Sequence, residues 1–208
     1  MKRHLPSVRY LVAVVVLSTV AGIVAWSAVT ADAPAQAQAD TTAGVSAAVA
    51  TARIYVKFDG IDGEARDEEH LGWSELLSFD QAHSMPVDTS TGLSTGRAEL
   101  EPILLSKTFD RASPKLAEAV LNGRTFPSVE IQLTGVDADG ARVTYFVYEL
   151  TDARIISYSA GGSSGGSAPT EQISLNFGQI KVTYTERDST GRAKGKVEYT
   201  WDVAGGSR

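Results

Sequence analysis

The chain has 208 residues, 43% of them hydrophobic, and this suits one compact domain with an additional segment at one end. Its formal net charge of −6, with no basic stripe in the sequence, argues against a nucleic-acid partner, because an acidic surface repels phosphates. The absence of cysteine excludes disulfides, thiolate metal sites and cysteine nucleophiles.

The first segment predicts export. Basic residues precede an apolar run from Tyr10 to about Val29, and A-x-A sequences follow that end at Ala37 and Ala39. This order is typical of a secretory signal peptide and predicts cleavage after one of those two alanines. An apolar run of about 20 residues also suffices to span a bilayer, so residues 1–39 are a signal peptide or a membrane anchor, the only part with a predicted membrane contact. Residues 40–51 are small and polar and predict a linker.

Alternation of apolar and polar residues, which is a period of two, predicts strands after residue 51. Ala52–Phe58 is the first strand and ends in an Asp-Gly turn signal. Trp73–Gln81 is the second, with Trp73, Leu77 and Phe79 expected to point inward.

The middle of the chain holds a loop and the one predicted helix. Ala82–Gly96 is rich in Ser, Thr, Gly and Pro and predicts a long loop, a kind of segment that is usually functional or disordered. Ser113 and Pro114 predict the helix start, because serine caps helices and proline fits the first helical position. Gly123 predicts its end. The expected apolar stripe comprises Leu116, Ala117, Val120 and Leu121.

The second half of the chain is mostly strand by the same criterion. In Pro169–Thr185, two sets of apolar residues alternate with polar ones, which makes this stretch the predicted closing element of a β-barrel or sandwich. About eight strands and one helix predict an all-β barrel over residues 52–203, with a tail at 204–208. The other strands are Glu99–Thr108, Ser128–Val136, Arg142–Leu150, Arg154–Tyr158 and Lys196–Val203.

No motif predicts catalysis, a cofactor or a metal site. Ser164 lies in a G-x-S-x-G match, but a nucleophile elbow needs a helix after it and a later histidine, and no histidine follows His83. Asp137–Gly140 lacks the remaining ligands of a calcium loop and predicts a hairpin turn instead. The acidic run from Asp59 to His70 has no fixed ligand spacing, which favours a solvated loop.

Four segments stand in one order along the chain: IYVKFDGIDGEARDEEH from Ile54, DRASPKL from Asp110, PTEQISLNFGQIKVTYT from Pro169, and the final Trp201-Asp202. Together they resemble the haemolysin-coregulated protein (Hcp) family, the tube subunit of type VI secretion, over about Ala52–Val203. The resemblance implies a β-barrel flanked by one helix and related to phage tail tube subunits. It also implies a hexameric ring, and rings stacked into a hollow tube.

The implied role is structural: a conduit for effector proteins that is itself expelled, without catalysis. By analogy, the long loop reaches a neighbouring subunit or ring, and polar residues after Gln179 line the lumen. Members of the family are ordinarily made without a signal sequence, so the leader predicts an exported relative. The alternative function is a secreted or surface-tethered binding protein that has kept the barrel. The candidate subunit or stacking contacts are Met85, Val87, Leu93 and Arg97, and the candidate lumen residues are Lys181, Thr183 and Thr185.

Overall fold

The computed structural model describes residues 53–137, 140–188 and 191–205. Within them the predicted all-β class with one short α-helix is confirmed. The leader, its cleavage sites at Ala37 and Ala39, and the linker lie outside the described residues. The strands are β1 (Arg53–Phe58), β2 (Ser74–Leu76), β3 (Ser78–Asp80), β4 (His83–Ser84), β5 (Glu99–Leu100), β6 (Ile103–Thr108), β7 (Thr125–Val136), β8 (Arg142–Gly161), β9 (Thr170–Asn176), β10 (Gln179–Arg187) and β11 (Ala193–Asp202). The helices are a 3-10 turn, Glu68–His70, and α1, Ser113–Leu121.

The barrel closes through β2 and β3. The strand order is β2-β1-β7-β8-β9-β6-β3, and β10 adds to β8 and carries β11 on its other side. Only Leu77 separates β2 from β3, so the two ends of this order are joined by one residue, whose backbone N–H donates to Ser106 O at 2.8 Å. The expectation that Pro169–Thr185 closes the barrel is therefore wrong. That stretch forms β9 and β10, and β9 lies inside the order.

The segment Trp73–Gln81 is not the single strand that its sequence predicts. Ser74 and Leu76 are buried, whereas Leu77, which was expected to point inward, is 59% exposed. Phe79 packs against the core as predicted. The break at Leu77 shifts the alternation by one residue, because β2 pairs with β1 and β3 pairs with β6 on the other side of the barrel.

The two strands predicted around residue 152 are the halves of one long strand, β8. Its first half pairs with β10 through Phe146–Thr151, and its second half pairs with β9 from Arg154 onward. Asp152 lies between them with φ of 52°, a left-handed conformation that aspartate tolerates better than most residues. The bend allows one strand to belong to both sides of the barrel. The predicted turn at Asp137–Gly140 is confirmed as the β7–β8 hairpin, whose last pair is Val136 with Arg142.

Helix α1 begins one residue earlier than the sequence indicates. Ser113, the predicted cap, is the first helical residue, and Ala112 occupies the cap position. The orphan N–H of Ala112 donates to the Asp110 carboxylate at 2.8 Å, so an aspartate two residues upstream supplies the oxygen that serine was expected to provide.

The helix buries a narrower stripe than predicted. Leu116 and Ala119 are buried against the barrel, but Leu121 is 87% exposed. The predicted end is confirmed at Gly123, which has φ of 60°, the left-handed conformation of a helix C-terminus. In the part of the chain that the structure describes, neither helix has the length or the apolar surface that crossing a bilayer requires.

The core fills the barrel and the space under α1. Phe58 and Phe126 meet edge to face at 5.4 Å within this core. Trp201 packs on the margin of this cluster, whereas Trp73, which was expected to point inward, contacts the buried His70 ring edge to face. The fully buried hydrophobic side chains include Ile103, Leu105, Leu116, Phe126, Val129, Ile131, Leu150, Ile173, Leu175 and Ile180.

Candidate functional site

Residues 82–101, the predicted long loop and its flanks, form a β-hairpin, which we call the arm. Backbone bonds join its two sides at Asp88 to Leu93, Thr95 to Pro86 and Glu101 to Ala82. The tip is stabilised by the Asp88 carboxylate, which accepts bonds from Ser90 and Thr91. The hydroxyl and N–H of Ser90 lower the pKa of this exposed carboxyl. The sequence pattern predicts a loop rather than a hairpin here, because the paired segments are short and rich in Pro and Gly.

The four residues proposed as subunit contacts all lie on the arm or at its base and are exposed. Met85 and Val87 are half exposed and Leu93 is 69% exposed, so the arm presents apolar side chains to solvent without covering them with its own chain. Arg97 is also exposed. A narrow hairpin with apolar side chains at its tip cannot bury them by itself, and exposed apolar groups of this kind are typical of contact surfaces.

Strand β11 has an open edge. Among the described strands it pairs with β10 alone, so one row of its backbone N–H and C=O groups has no ladder partner. The Val203 N–H donates to Gly178 O, and because the direction alternates along an antiparallel strand, the N–H of Glu198 points to the open edge. Ten residues of unpaired edge are a template on which another chain can add a strand.

The candidate lumen residues lie on one face of β10 but differ in exposure. Lys181 is partly exposed, and its ammonium lies 3.2 Å from Glu149 and 3.7 Å from Glu198. The bond to Glu149 and its charge raise the pKa of Lys181. Thr185 is partly exposed, whereas Thr183 is only 9% exposed because its neighbours in β8 and β11 cover it. On β10 this face is polar and Lys181 lies close to two carboxylates, whereas β8 contributes Val147 beside Thr183.

The acidic run after β1 is solvated, as the sequence favours, except at its end: most of its carboxylates are exposed, but Asp67 is partly buried and His70 is buried. It folds back over the outer face of β1, where the His70 ring is 1% exposed and stacks on Tyr55 at 4.1 Å. The two ring nitrogens of His70 lie 2.6 Å from Asp67 Oδ1 and 3.0 Å from Gln132 Oε1. The second carboxylate oxygen of Asp67 lies 2.6 Å from Arg142 Nε at the start of β8.

The pKa of Asp67 is set by opposing causes. Burial alone raises it, but the hydrogen bond from His70 and the charge of Arg142 outweigh burial and hold it below its usual value. Sequence reasoning missed this cluster because its partners lie more than 60 residues apart. The only local signal was a histidine at the end of a charge run, and that signal also suits a solvated loop.

The remaining chemical candidates have no catalytic arrangement around them. Ser164 lies on an exposed loop that leads into β9, so the helix that a nucleophile elbow requires does not follow it. Both ring nitrogens of His70 are engaged, and His83 lies 3.4 Å from the Tyr199 hydroxyl. Over residues 53–137, 140–188 and 191–205, no three acidic or histidine side chains converge as metal ligands do.

Known proteins share this fold and sequence pattern. The sequence model of the family described as "Type VI secretion system effector, Hcp" matches residues 55–184. Protein hcp1 of Pseudomonas aeruginosa is 26% identical over 153 residues, which cover 72% of this chain and 94% of that protein. The major exported protein of the same organism is 29% identical over 147 residues, 69% of this chain and 84% of that protein. A solved structure of a type six secretion system protein is 29% identical with a TM-score of 0.70, and the match covers 76% of this chain and 99% of that one.

Fold and surfaces together define a class: a small antiparallel barrel with a protruding arm and an open strand edge, which is the design of an assembling structural subunit. The family match spans most of the barrel, from β1 into β10, and the relatives are covered over nearly their whole length. The chain belongs to the Hcp family, the tube-forming proteins of type VI secretion systems. The resemblance predicted from its sequence segments is confirmed.

Proposed function

We propose that this protein is an exported ring subunit that assembles with five further copies, and that it has a structural rather than an enzymatic role. The observation that carries the proposal is the open edge of β11 on a barrel of the Hcp family. An open edge joined to a different patch of the next copy makes a head-to-tail interface, which closes into a ring when the rotation fits. The sixfold number is the one that the family resemblance implies.

The arm provides the contact between rings in this proposal. Its apolar tip residues Val87 and Leu93 are 50% and 69% exposed, so they are available for such a contact. The polar face with Lys181, Thr183 and Thr185 lines the lumen, where its paired charges offer a passing effector protein a hydrated, weakly adhesive wall. Stacking and cargo passage both depend on ring formation.

The leader places this assembly outside the inner membrane. A basic start, an apolar run and two A-x-A sequences support a cleaved signal peptide, and the relative named major exported protein supports export in general. A subunit that leaves the cell interior singly forms its ring after export. Retention of residues 1–39 would instead tether each ring to a membrane by several anchors.

Ring formation and its dependence on the β11 edge are tested together. The protein purified from cells that express the full chain is expected to have six times the subunit mass by light scattering. Glu198→Pro removes an N–H that points away from β10, so it blocks strand addition while leaving the β10–β11 ladder intact. We expect Glu198→Pro to be monomeric. Glu198→Ala, which loses the same side chain but keeps the N–H, is the matched control and should remain in rings.

Two results would count against this assignment. A wild-type protein that stays monomeric at tens of micromolar would remove the ring and favour the alternative of a tethered or secreted binding protein. Rings that persist in Glu198→Pro would show that the edge is not the contact. The arm offers a second control: Val87→Ser with Leu93→Ser should leave the ring mass unchanged and reduce only the formation of longer tubes.

Cleavage of the leader is tested by the mass of the mature protein. We expect the measured mass to match a chain that begins after Ala37 or Ala39. This protein should be recovered from the periplasm or the medium rather than from membranes. Ala37→Leu combined with Ala39→Leu fills both small-residue positions and should leave an uncleaved, membrane-bound form. A wild-type chain that keeps its first residues in the membrane fraction would establish the anchor instead.

A further inference from the structure

One face of β8, β10 and β11 is apolar along three consecutive rows of paired residues. Cross-strand partners lie on the same face of a sheet, so the register of the three strands assigns each row. Every side chain in these rows is aliphatic or aromatic. The rows are Leu150, Ile180 and Trp201; then Tyr148, Val182 and Tyr199; then Phe146, Tyr184 and Val197.

The solvent exposure of these side chains increases from the first row to the third. Ile180 and Leu150 in the first row are 0% and 1% exposed, so this row belongs to the barrel core. Tyr199, in the second row, is 40% exposed, and in the third row Tyr184 is 42% and Val197 69% exposed. The apolar face of the sheet therefore continues outward past the point where the barrel covers it.

The opposite face of β10 and β11 shows that these two strands are not a generally apolar hairpin. Between the apolar positions of β11 lie Lys196, Glu198 and Thr200, and β10 presents Lys181 and Thr185 on that side. Strict alternation with charge on one face is the pattern of a half-buried sheet. In the described part of the chain, this alternation continues into the third row, where Tyr184 and Val197 are exposed. Single exposed apolar residues are ordinary, but a row continuous with the core indicates a contact surface.

We infer that the wing face, which is Tyr184, Val197 and Tyr199 with the partly buried Phe146 behind them, packs against a second copy of this chain. The inference rests on the proposed ring, and adds the surface that supplies its apolar contact. Two observations select another copy as the occupant. The wing face borders the open edge of β11, so a strand added to that edge extends the same rows and brings the body of the neighbouring copy next to them. Tyrosine also dominates it, a side chain enriched at protein interfaces because it combines a large ring with a hydroxyl.

The rings of the wing face are already ordered for such a contact. Phe146 lies 5.1 Å from Tyr148 and 6.0 Å from Tyr184, and Phe79 closes the group from the other side of the barrel at 5.3 Å from Tyr148. The Tyr199 hydroxyl is 3.4 Å from His83 at the base of the arm. A preformed surface loses little side-chain freedom on association, and this raises the affinity for a given area. Edge pairing fixes the register of the neighbour, and the wing face supplies the hydrophobic driving force.

The test is a charge placed in the outermost row. Val197→Lys puts an ammonium at a position that is mostly exposed in the single subunit, so the barrel itself tolerates it. At a buried interface the same ammonium is unpaired, and we expect the concentration at which rings dissociate to rise at least tenfold. Leu121→Lys is the matched control: it makes the same kind of change at the most exposed large apolar residue, on α1, and should leave dissociation unchanged.

The outcomes separate this inference from the ring itself. If the wild-type protein forms no ring, the proposed function fails first. If wild type forms rings and Val197→Lys dissociates like wild type, the wing face is not the interface, whatever else joins the subunits. Equal thermal midpoints of the Val197→Lys and wild-type subunits, measured below the dissociation concentration, show that folding is intact. Should Val197→Lys fail to fold, Val197→Ser is measured instead, with a smaller rise in the same direction expected and no rise overturning the inference.

Discussion

Lys107→Met is expected to destabilise the protein by about 3–5 kcal/mol, because it leaves buried carboxylates without their counter-charge. The Lys107 side chain is fully buried, and its ammonium lies 2.7 Å from Glu171 and 2.8 Å from Asp110. Glu171 is also fully buried, and its Oε1 meets the ammonium away from the hydrogen-bond direction, so this contact is a Coulombic pairing. Its other oxygen accepts the Tyr158 hydroxyl at 2.6 Å. Burial and that bond raise the pKa of Tyr158.

The cost is large because this cluster joins five elements. Asp110, which Lys107 holds, caps α1 and accepts the Ser74 hydroxyl of β2, while Glu171 lies on β9 and Tyr158 on β8. Unfolding in guanidinium, followed by tryptophan fluorescence at one protein concentration, measures the change. The double variant Lys107→Met, Glu171→Gln should be more stable than Lys107→Met alone, because it removes an uncompensated charge. An unchanged midpoint in Lys107→Met would contradict the argument. Lys115→Met breaks an exposed pair and should have no measurable effect.

The sequence pattern predicted those elements of the fold whose deciding residues are close together in the chain. Two-residue alternation located β1, β7 and the halves of β8, and Gly123 gave the end of α1, because these features depend on residues within one turn or one strand. The predicted hairpin between β7 and β8 holds for the same reason. In each case the deciding chemistry lies within about ten residues of sequence.

Local sequence pattern does not indicate which distant strands pair. Nothing near Leu77 indicates that its two neighbours belong to strands on different sides of the barrel, and alternation alone put Leu77 inward. The burial of Lys107 is equally invisible, since a lysine in a strand is ordinarily a marker of the wet face. Its partner Glu171 is 64 positions later in the sequence. Contacts of this kind depend on how distant strands are arranged, and local sequence pattern does not reveal that arrangement.

Of the candidate contact surfaces, one could be predicted from the sequence and the other could not. Exposure of the arm followed from its composition, and the structure adds that it is a paired hairpin. The alternation Lys196 to Trp201 was visible as a strand, but its apolar side gave no sign of being uncovered, because a sequence states that a face is apolar and not what covers it. An apolar face of this kind looks like core in the sequence, and only its exposure in the folded subunit marks it as a candidate contact surface.

His70→Ala is expected to destabilise the protein by about 2–4 kcal/mol at pH 7, since it leaves a cavity against Tyr55 and removes a partner from both Asp67 and Gln132. His70→Phe is the matched variant, because it keeps a ring in the stack and removes only the polar bonds. It should recover part of the loss. Guanidinium unfolding of the three proteins at pH 7 gives both differences, and His70→Phe no more stable than His70→Ala would show that the stack contributes nothing.

The free energy of unfolding at low pH distinguishes the polar contribution of the Asp67–His70 contact from the contribution of packing. The pKa of Asp67 is depressed in the folded protein, so the group contributes stability at pH values above its ordinary range, about 3.9, and that contribution is lost as pH falls through the folded pKa. His70 is one cause of the depression, and His70→Ala has therefore already lost part of what acid removes from wild type. The free-energy gap between wild type and His70→Ala should narrow from pH 7 to pH 3, while the gap to a packing variant such as Leu116→Ala stays constant. An equal gap at both pH values would mean that Asp67 and His70 are not coupled through their 2.6 Å contact.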